Sequence, residues 1–192
     1  MARYDLADPA APLPQQLVID SSLLLALRPG DDNPHAMAAQ AFVRRLRPYI
    51  AALEMVVWIP LPVLQECYHI ILTRHLRRVW ESLDSASRLP NWLALYKHQP
   101  ERLRDGFSDI ARFDDLLATI PLTPVRPEDL TARGVDGPLP ERLRHFITTY
   151  HLLPQDAFIL AETERLGVKA VVTLDSDWQR VTEFDIYTVL PE

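Results

Sequence analysis

The chain has 192 residues, about one domain at roughly 100–200 residues each, and 48 % hydrophobic with 24 % charged residues excludes a disordered chain, a collagen-like repeat and a coiled-coil rod. A net charge of −6, with a pI near 5.5, excludes a body that coats nucleic acid through bulk positive charge. The single cysteine, Cys67, excludes an internal disulfide framework and a cysteine-rich zinc site.

Residues 1–16 carry Pro9, Pro12 and Pro14 among small residues and read as a flexible leader. The segment lacks the basic start and long apolar core of a signal peptide, and no window reaches the length of a membrane span. The expectation is a cytoplasmic protein without membrane contact, its domain running from 17 to 192.

Residues 17–20 form a short apolar strand ending at Asp20, which hands over to a helix offered capping hydroxyls by Ser21 and Ser22. Asn33 and Pro34 open a second helix with Met37, Ala41 and Leu46 at helical spacing, which Pro48 is expected to kink or split. A strand over 54–60, closed by Pro60 and Pro62, leads into a helix with Leu64, Tyr68, Ile71 and Leu72 on one face and Glu66 in its first turns. Residues 80–119 read as helical pieces broken at Pro90 and Pro100, with Trp92, Leu93, Tyr96, Phe107 and Phe113 among the side chains available for burial.

Residues 120–125 are expected as a short edge strand and 126–140 as a loop. A helix over 141–153 places Leu143, Phe146, Ile147 and Tyr150 on one stripe; Pro154 then begins a further helix, ended by Gly167, with Asp156 in its first turn. The clearest strand is the β-branched run 168–175, ending at Asp175, followed by a short helical turn and a last strand over 185–190. Strands alternating with helices predict a three-layer α/β/α fold around a mostly parallel sheet.

In such a sheet reactive groups gather beyond the carboxyl ends of the strands, where Asp20 and Asp175 both fall. Asp156, at a helix start, sits where exposed N–H groups and the helix dipole favour an anion. Carboxylates gathered in one cleft repel one another unless a cation neutralises them, and oxygen-only ligands point to Mg²⁺ or Mn²⁺. Taken singly, Asp20 reads more readily as a helix cap and Asp156 as a dipole-placed first-turn residue; together with Asp175 those readings lose most of their weight. Glu66 is singled out by its place after the second strand, with Glu54 and Glu81 as alternatives.

VIDSS with Asp20, LQE with Glu66, LLPQDAFILAETERLGV with Asp156, and VVTLDSDW with Asp175 and Asp177 resemble, in order and local context, the PIN-domain ribonucleases. The likeness is to the small bacterial and archaeal PIN toxins, over roughly 16–75 and 140–190. The resemblance implies an endoribonuclease that hydrolyses RNA phosphodiester bonds with a metal-activated water. Asp20, Glu66, Asp156 and Asp175 match its metal-binding and catalytic acids, with Asp177 further out in the metal site, and Ser22 and Thr173 match small polar positions beside them. The stretch between Glu66 and Asp156 is longer than in those toxins, which implies a helical insert at about 80–135.

Arg74, Arg77 and Arg78 are candidate phosphate grips, although charge runs on helices are more often solvated faces. Trp178, just past the acidic rim, is balanced between core and base stacking. The histidines show no metal-ligand spacing. The resemblance also implies RNA as substrate, with an antitoxin protein and a second copy of the chain as partners. Two other readings stay open: a catalytically silent module that binds RNA or protein, and a DNA-directed nuclease on the same fold. LDSDW also matches the Asp-x-Asp loop of haloacid-dehalogenase-like phosphatases, but it follows a late strand, with too little chain left for that family's remaining acids.

Overall fold

The computed structural model describes residues 1–30, 32–84, 88–130 and 138–190. Six strands form one all-parallel sheet: β1 (Arg3–Asp5), β2 (Gln16–Ile19), β3 (Val56–Ile59), β4 (Thr123–Pro124), β5 (Ala170–Val172) and β6 (Asp185–Thr188), in the order β1-β6-β5-β2-β3-β4. The helices are α1 (Ser21–Ala26), α2 (Ala36–Ala51), α3 (Leu61–Ser82), α4 (Trp92–His98), α5 (Phe107–Ala118), α6 (Leu139–Tyr150) and α7 (Pro154–Arg165). The fold class is α/β, three layers about a parallel sheet.

The chain divides into two compact units, Met1–Leu64 with Ile120–Glu192, and Gln65–Thr119. The sheet belongs to the first. Its central strands are buried on both faces: Leu17, Val18 and Ile19 of β2 and Val171 and Val172 of β5 are all fully buried, as continuous apolar runs in parallel sheets require. From β2 the chain moves one way to β3 and β4, then returns on the other side of β2 to lay down β5 and β6. The carboxyl ends of β2 and β5 therefore flank the point where strand order reverses, the crevice in which open α/β sheets bind ligands.

The leader expected over residues 1–16 is instead part of this sheet. Arg3, Tyr4 and Asp5 pair in parallel with Ile186, Tyr187 and Thr188, and the rings of Tyr4 and Tyr187 stack at 4.8 Å. The prolines that suggested a loose segment occupy the connection to β2, which is itself held: Arg45 donates to the carbonyls of Asp8 and Ala11, and Tyr187 Oη to that of Pro12 at 2.7 Å. Small, proline-rich composition reports the absence of a core-forming pattern and is blind to an edge strand that needs only a neighbour.

Two helix boundaries also differ from expectation. Asn33 does not cap α2 directly; its Oδ1 accepts from His35 N at 2.9 Å and the helix starts at Ala36. Pro48 neither splits nor ends α2, which continues to Ala51. The expected edge strand at 120–125 is present as β4, paired with β3 at the rim of the sheet. Of the loop expected over 126–140, residues 131–137 lie outside the described residues.

The second unit is helical and covers Gln65–Thr119, so it starts earlier and ends sooner than the expected insert at about 80–135, of which 85–87 and 131–135 lie outside the described residues. It contains most of α3, all of α4 and α5, and a 3-10 stretch, Pro100–Gly106. Phe113 and Leu95 are buried within it, and Tyr68 meets Phe113 edge-on at 6.2 Å. A Cβ at Gly106 would lie 3.1 Å from the His75 ring and 3.2 Å from the Leu72 side chain, so glycine there allows a close approach. Leu93, Tyr96 and Phe107, expected as core, are instead 43 %, 41 % and 53 % exposed.

Candidate metal centre

Asp20 follows directly on β2. Its N–H donates to Val172 O at 3.0 Å, continuing the β2–β5 ladder by one residue, and this register sets Thr173 opposite it. Thr173 Oγ1 donates to Asp20 Oδ2 at 2.8 Å, and Ser22 Oγ donates to the same oxygen at 2.6 Å. The direction of both bonds is fixed by what the hydroxyls accept: Ser22 Oγ takes the Leu174 N–H at 2.9 Å and Thr173 Oγ1 the Asp175 N–H at 3.0 Å. With amide donors on their lone pairs, the hydroxyl protons are turned onto Asp20.

The strong donors thus converge on Oδ2, while Oδ1 takes a longer 3.4 Å contact from Ser21 Oγ. Asp20 also caps α1, accepting from Ser22 N at 3.3 Å. Cap and site residue coincide in one side chain. Burial pushes the Asp20 carboxyl above its usual range, and the hydrogen bonds from Ser22, Thr173 and the Ser21 and Ser22 backbones pull it back only in part.

Asp156 lies in the first turn of α7, buried. That helix begins with Pro154 after Leu153, which offers no side-chain cap, so an acid in the first turn meets the unsatisfied N–H end of the helix. Gln155 Nε2 donates to Pro62 O at 2.8 Å. This bond ties the start of α7 to the start of α3.

Carboxylate oxygens of Asp20, Glu66 and Asp156 lie within 4.8 Å of one another. Two of these acids are buried and Glu66 is half-buried. Glu54 and Glu81, the alternatives for the middle position, are both exposed. Three carboxylates at this spacing, two of them buried, repel strongly unless a cation or retained protons offset the charge. The donor set is oxygen only, which fits a hard divalent cation such as Mg²⁺ or Mn²⁺. The fit rests on spacing and donor chemistry together.

Asp175 and Asp177 stand outside this group of three. Asp175 Oδ1 accepts from Asp177 N at 2.8 Å and so caps the 3-10 turn Ser176–Arg180. Through its own N–H on Thr173 Oγ1 it remains one hydrogen-bonded step from Asp20. Asp177 is exposed and pairs with Arg180 at 3.1 Å.

Trp178 is corrected from base-stacking candidate to core residue. It is 0 % exposed, because the 3-10 turn rotates it inward while Asp177 and Gln179 face out. Its Nε1 is buried without a hydrogen-bond partner among the described residues. Arg74, Arg77 and Arg78 are all exposed on α3. Arg78 pairs with Asp109 at 2.9 Å, and Arg77 covers the Trp92 ring at 5.5 Å.

No protein-family model matches the chain, and no curated protein or solved structure matches it.

Sequence reading alone missed a polar network behind the α6–α7 corner. Glu183 accepts from His145, from Tyr150 Oη at 3.0 Å and from Arg142 at 3.0 Å, while Arg142 also forks onto Glu164 at 2.6 and 2.8 Å. Arg180 adds a bond to His151 O at 3.2 Å, where the backbone turns left-handed between the two helices. The partial signal available was the i,i+3 spacing of Arg142 and His145 on one helix face; their acids lie far away in sequence.

Proposed function

We propose that this chain is a divalent-metal-dependent endoribonuclease of the PIN-like kind, with Asp20, Glu66 and Asp156 as ligands for Mg²⁺ or Mn²⁺. The observation that carries the reading is three carboxylates within 4.8 Å of one another, one of them, Asp20, at the carboxyl end of β2 where the strand order of the sheet reverses. A hard divalent cation held there supplies Lewis acidity to a phosphodiester oxygen and lowers the pKa of a water it binds.

The chain's own residues do the positioning. Ser22 and Thr173 hold Oδ2 of Asp20, so that the carboxylate keeps one orientation towards the other two acids. Asp175, joined to the same hydroxyl network, is assigned as the fourth acid of the reaction, and exposed Asp177 as an outer member of the set. Arg74 and Arg77 offer guanidinium forks to RNA phosphates, and Arg78 would do so only by giving up its ion pair with Asp109. A cytoplasmic toxin acting as a homodimer and restrained by an antitoxin is the biological setting we propose, on the likeness of the acid-bearing motifs to PIN toxins.

The test is cleavage of labelled single-stranded, hairpin and transfer RNAs, with single-stranded DNA alongside, in Mn²⁺ or in EDTA, for wild type and Asp20→Asn. Discrete RNA cuts that require Mn²⁺ and vanish in the variant are expected. Cleavage that persists in EDTA or in the variant contradicts the assignment. Cuts in DNA alone move the activity to a DNA nuclease, and RNA binding without cuts makes the chain a binding module.

A further inference from the structure

We infer that the helical unit Gln65–Thr119 carries its own contact for single-stranded nucleic acid, formed by Arg77, Trp92, Tyr96 and Lys97. On α4, positions 92, 93, 96 and 97 fall on one arc of the helix, opposite Leu95, which is fully buried. This arc is the outer face: Tyr96 is 41 % and Leu93 43 % exposed, Lys97 is exposed and Trp92 half-buried. Two aromatics one turn apart with an aliphatic neighbour form an apolar strip that the unit's core leaves uncovered.

Charge decides what covers it. Residues 74–78 of α3 (RHLRR) and α4 (WLALYKH) contain no acid, and the Arg77 guanidinium lies 5.5 Å above the Trp92 ring, joining the two stretches. Neither Arg77 nor Lys97 has a carboxylate partner among the described residues, whereas Arg78 and Arg112 are both taken up by Asp109. The unit's acids lie at 66 and 81 on α3, at 84 just beyond it, at 101 and 105 in the 3-10 stretch and at 109, 114 and 115 on α5, and among the described residues none of them is ion-paired with Arg77 or Lys97. Cations without counter-ions beside exposed rings match a polyanion with flat faces. Bases stack on the aromatics and the guanidinium plane while phosphates meet Arg77 and Lys97, the combination by which single strands are bound without sequence readout. A duplex, whose bases are already stacked, offers only its phosphates to the same patch.

The inference extends the RNA reading of the acidic centre, and its test does not depend on cleavage. Binding of a fluorescein-labelled single-stranded RNA, and of the same sequence as a duplex, is measured by anisotropy on the full chain in EDTA. Tyr96→Ala and Arg77→Gln change exposed side chains, and circular dichroism checks that each variant is folded. Each is expected to weaken single-strand binding by about 5- to 100-fold, the range of losing one stacked base; Tyr96→Ala should affect the duplex much less, whereas Arg77→Gln, which also removes a phosphate contact, should weaken both. Unchanged single-strand affinity in both variants overturns the proposal and leaves the strip as a surface for a protein partner. Equal losses for single strand and duplex in Tyr96→Ala overturn the stacking assignment in favour of a phosphate contact alone. If the wild-type chain binds single strands through these residues but never cleaves them, the nuclease reading fails while this one stands.

Discussion

Asp20 caps α1 and is also one of three acids close enough together to hold a metal ion, two positions that both call for a carboxylate at the end of a strand that turns into a helix. Its orientation depends on two hydroxyls, so Thr173→Val should remove a buried donor from Oδ2. A stability loss of about 1–3 kcal/mol is expected in denaturant titration; no loss would mean the hydroxyl is dispensable to the folded state. Ser22→Ala should reduce Mn²⁺-dependent turnover by about 10- to 100-fold, the usual effect of losing a group that orients a metal ligand. Glu162 behaves differently. It is 7 % exposed on α7, with Oε2 lacking a hydrogen-bond partner among the described residues, and burial raises its carboxyl above the usual range against a weaker opposing pull from Arg165. An acid whose folded pKa is raised costs no stability while both states are protonated. The cost grows as pH climbs past the ordinary value of 4.5 and is complete above the folded value. Glu162→Gln should therefore stabilise the protein at neutral pH and flatten its stability above pH 4.5, and a destabilised variant at pH 7 would refute this. Its position six residues beyond Asp156 gives a direction away from that acid but says nothing of what packs there.

Among the elements, β1 shows where composition misleads. Its three residues pair with β6, and Arg3 further donates to the carbonyls of Gln179 and Val181. Deleting residues 1–7 should lower the melting temperature and leave the β6 edge open to other chains; an unchanged melting curve and a monomeric product would make β1 incidental. Where apolar periodicity is strong, as in β2, β5, α3 and α7, the elements were legible from sequence within a few residues. The α6–α7 corner was legible as two helices and not as a network, because Glu183 reaches His145, Tyr150 and Arg142 across more than thirty positions. Burial raises the Glu183 carboxyl, but hydrogen bonds from His145, Tyr150 and Arg142 outweigh it and hold the group below its ordinary 4.5. That stabilisation is complete above 4.5 and is lost as pH falls through the lower folded value. Glu183→Gln should lose stability at neutral pH and lose less of it on acidification than wild type, as equilibrium unfolding across pH 2–6 reads directly; parallel pH profiles would show that the network does not act on folding.

At the scale of the molecule, six parallel strands bring together acids that are far apart in the chain, and strand order decides which of them meet. Asp20, Glu66 and Asp156 were legible as a set because each follows a recognisable strand or opens a helix. Whether Asp175 joined them was not, since that depends on the β2–β5 register, which sets Thr173 and not Asp175 opposite Asp20. The fate of Trp178 was equally closed to periodicity, because a 3-10 turn of five residues gives no repeating pattern from which to read an inward face. No helix among the described residues is long and apolar enough to cross a membrane. With a net charge of −6, the proposed affinity for RNA would have to come from local features rather than bulk attraction. Thermal unfolding of wild type and Asp156→Asn in EDTA and in rising Mn²⁺ tests whether the three acids form a metal centre. In EDTA the variant should be at least as stable as wild type, since one mutually repelling carboxylate is gone. Mn²⁺ should stabilise wild type by about 2.7 kcal/mol at a hundredfold excess over its dissociation constant and leave the variant nearly unmoved. Equal responses to Mn²⁺ in the two proteins would contradict a metal centre built on Asp20, Glu66 and Asp156.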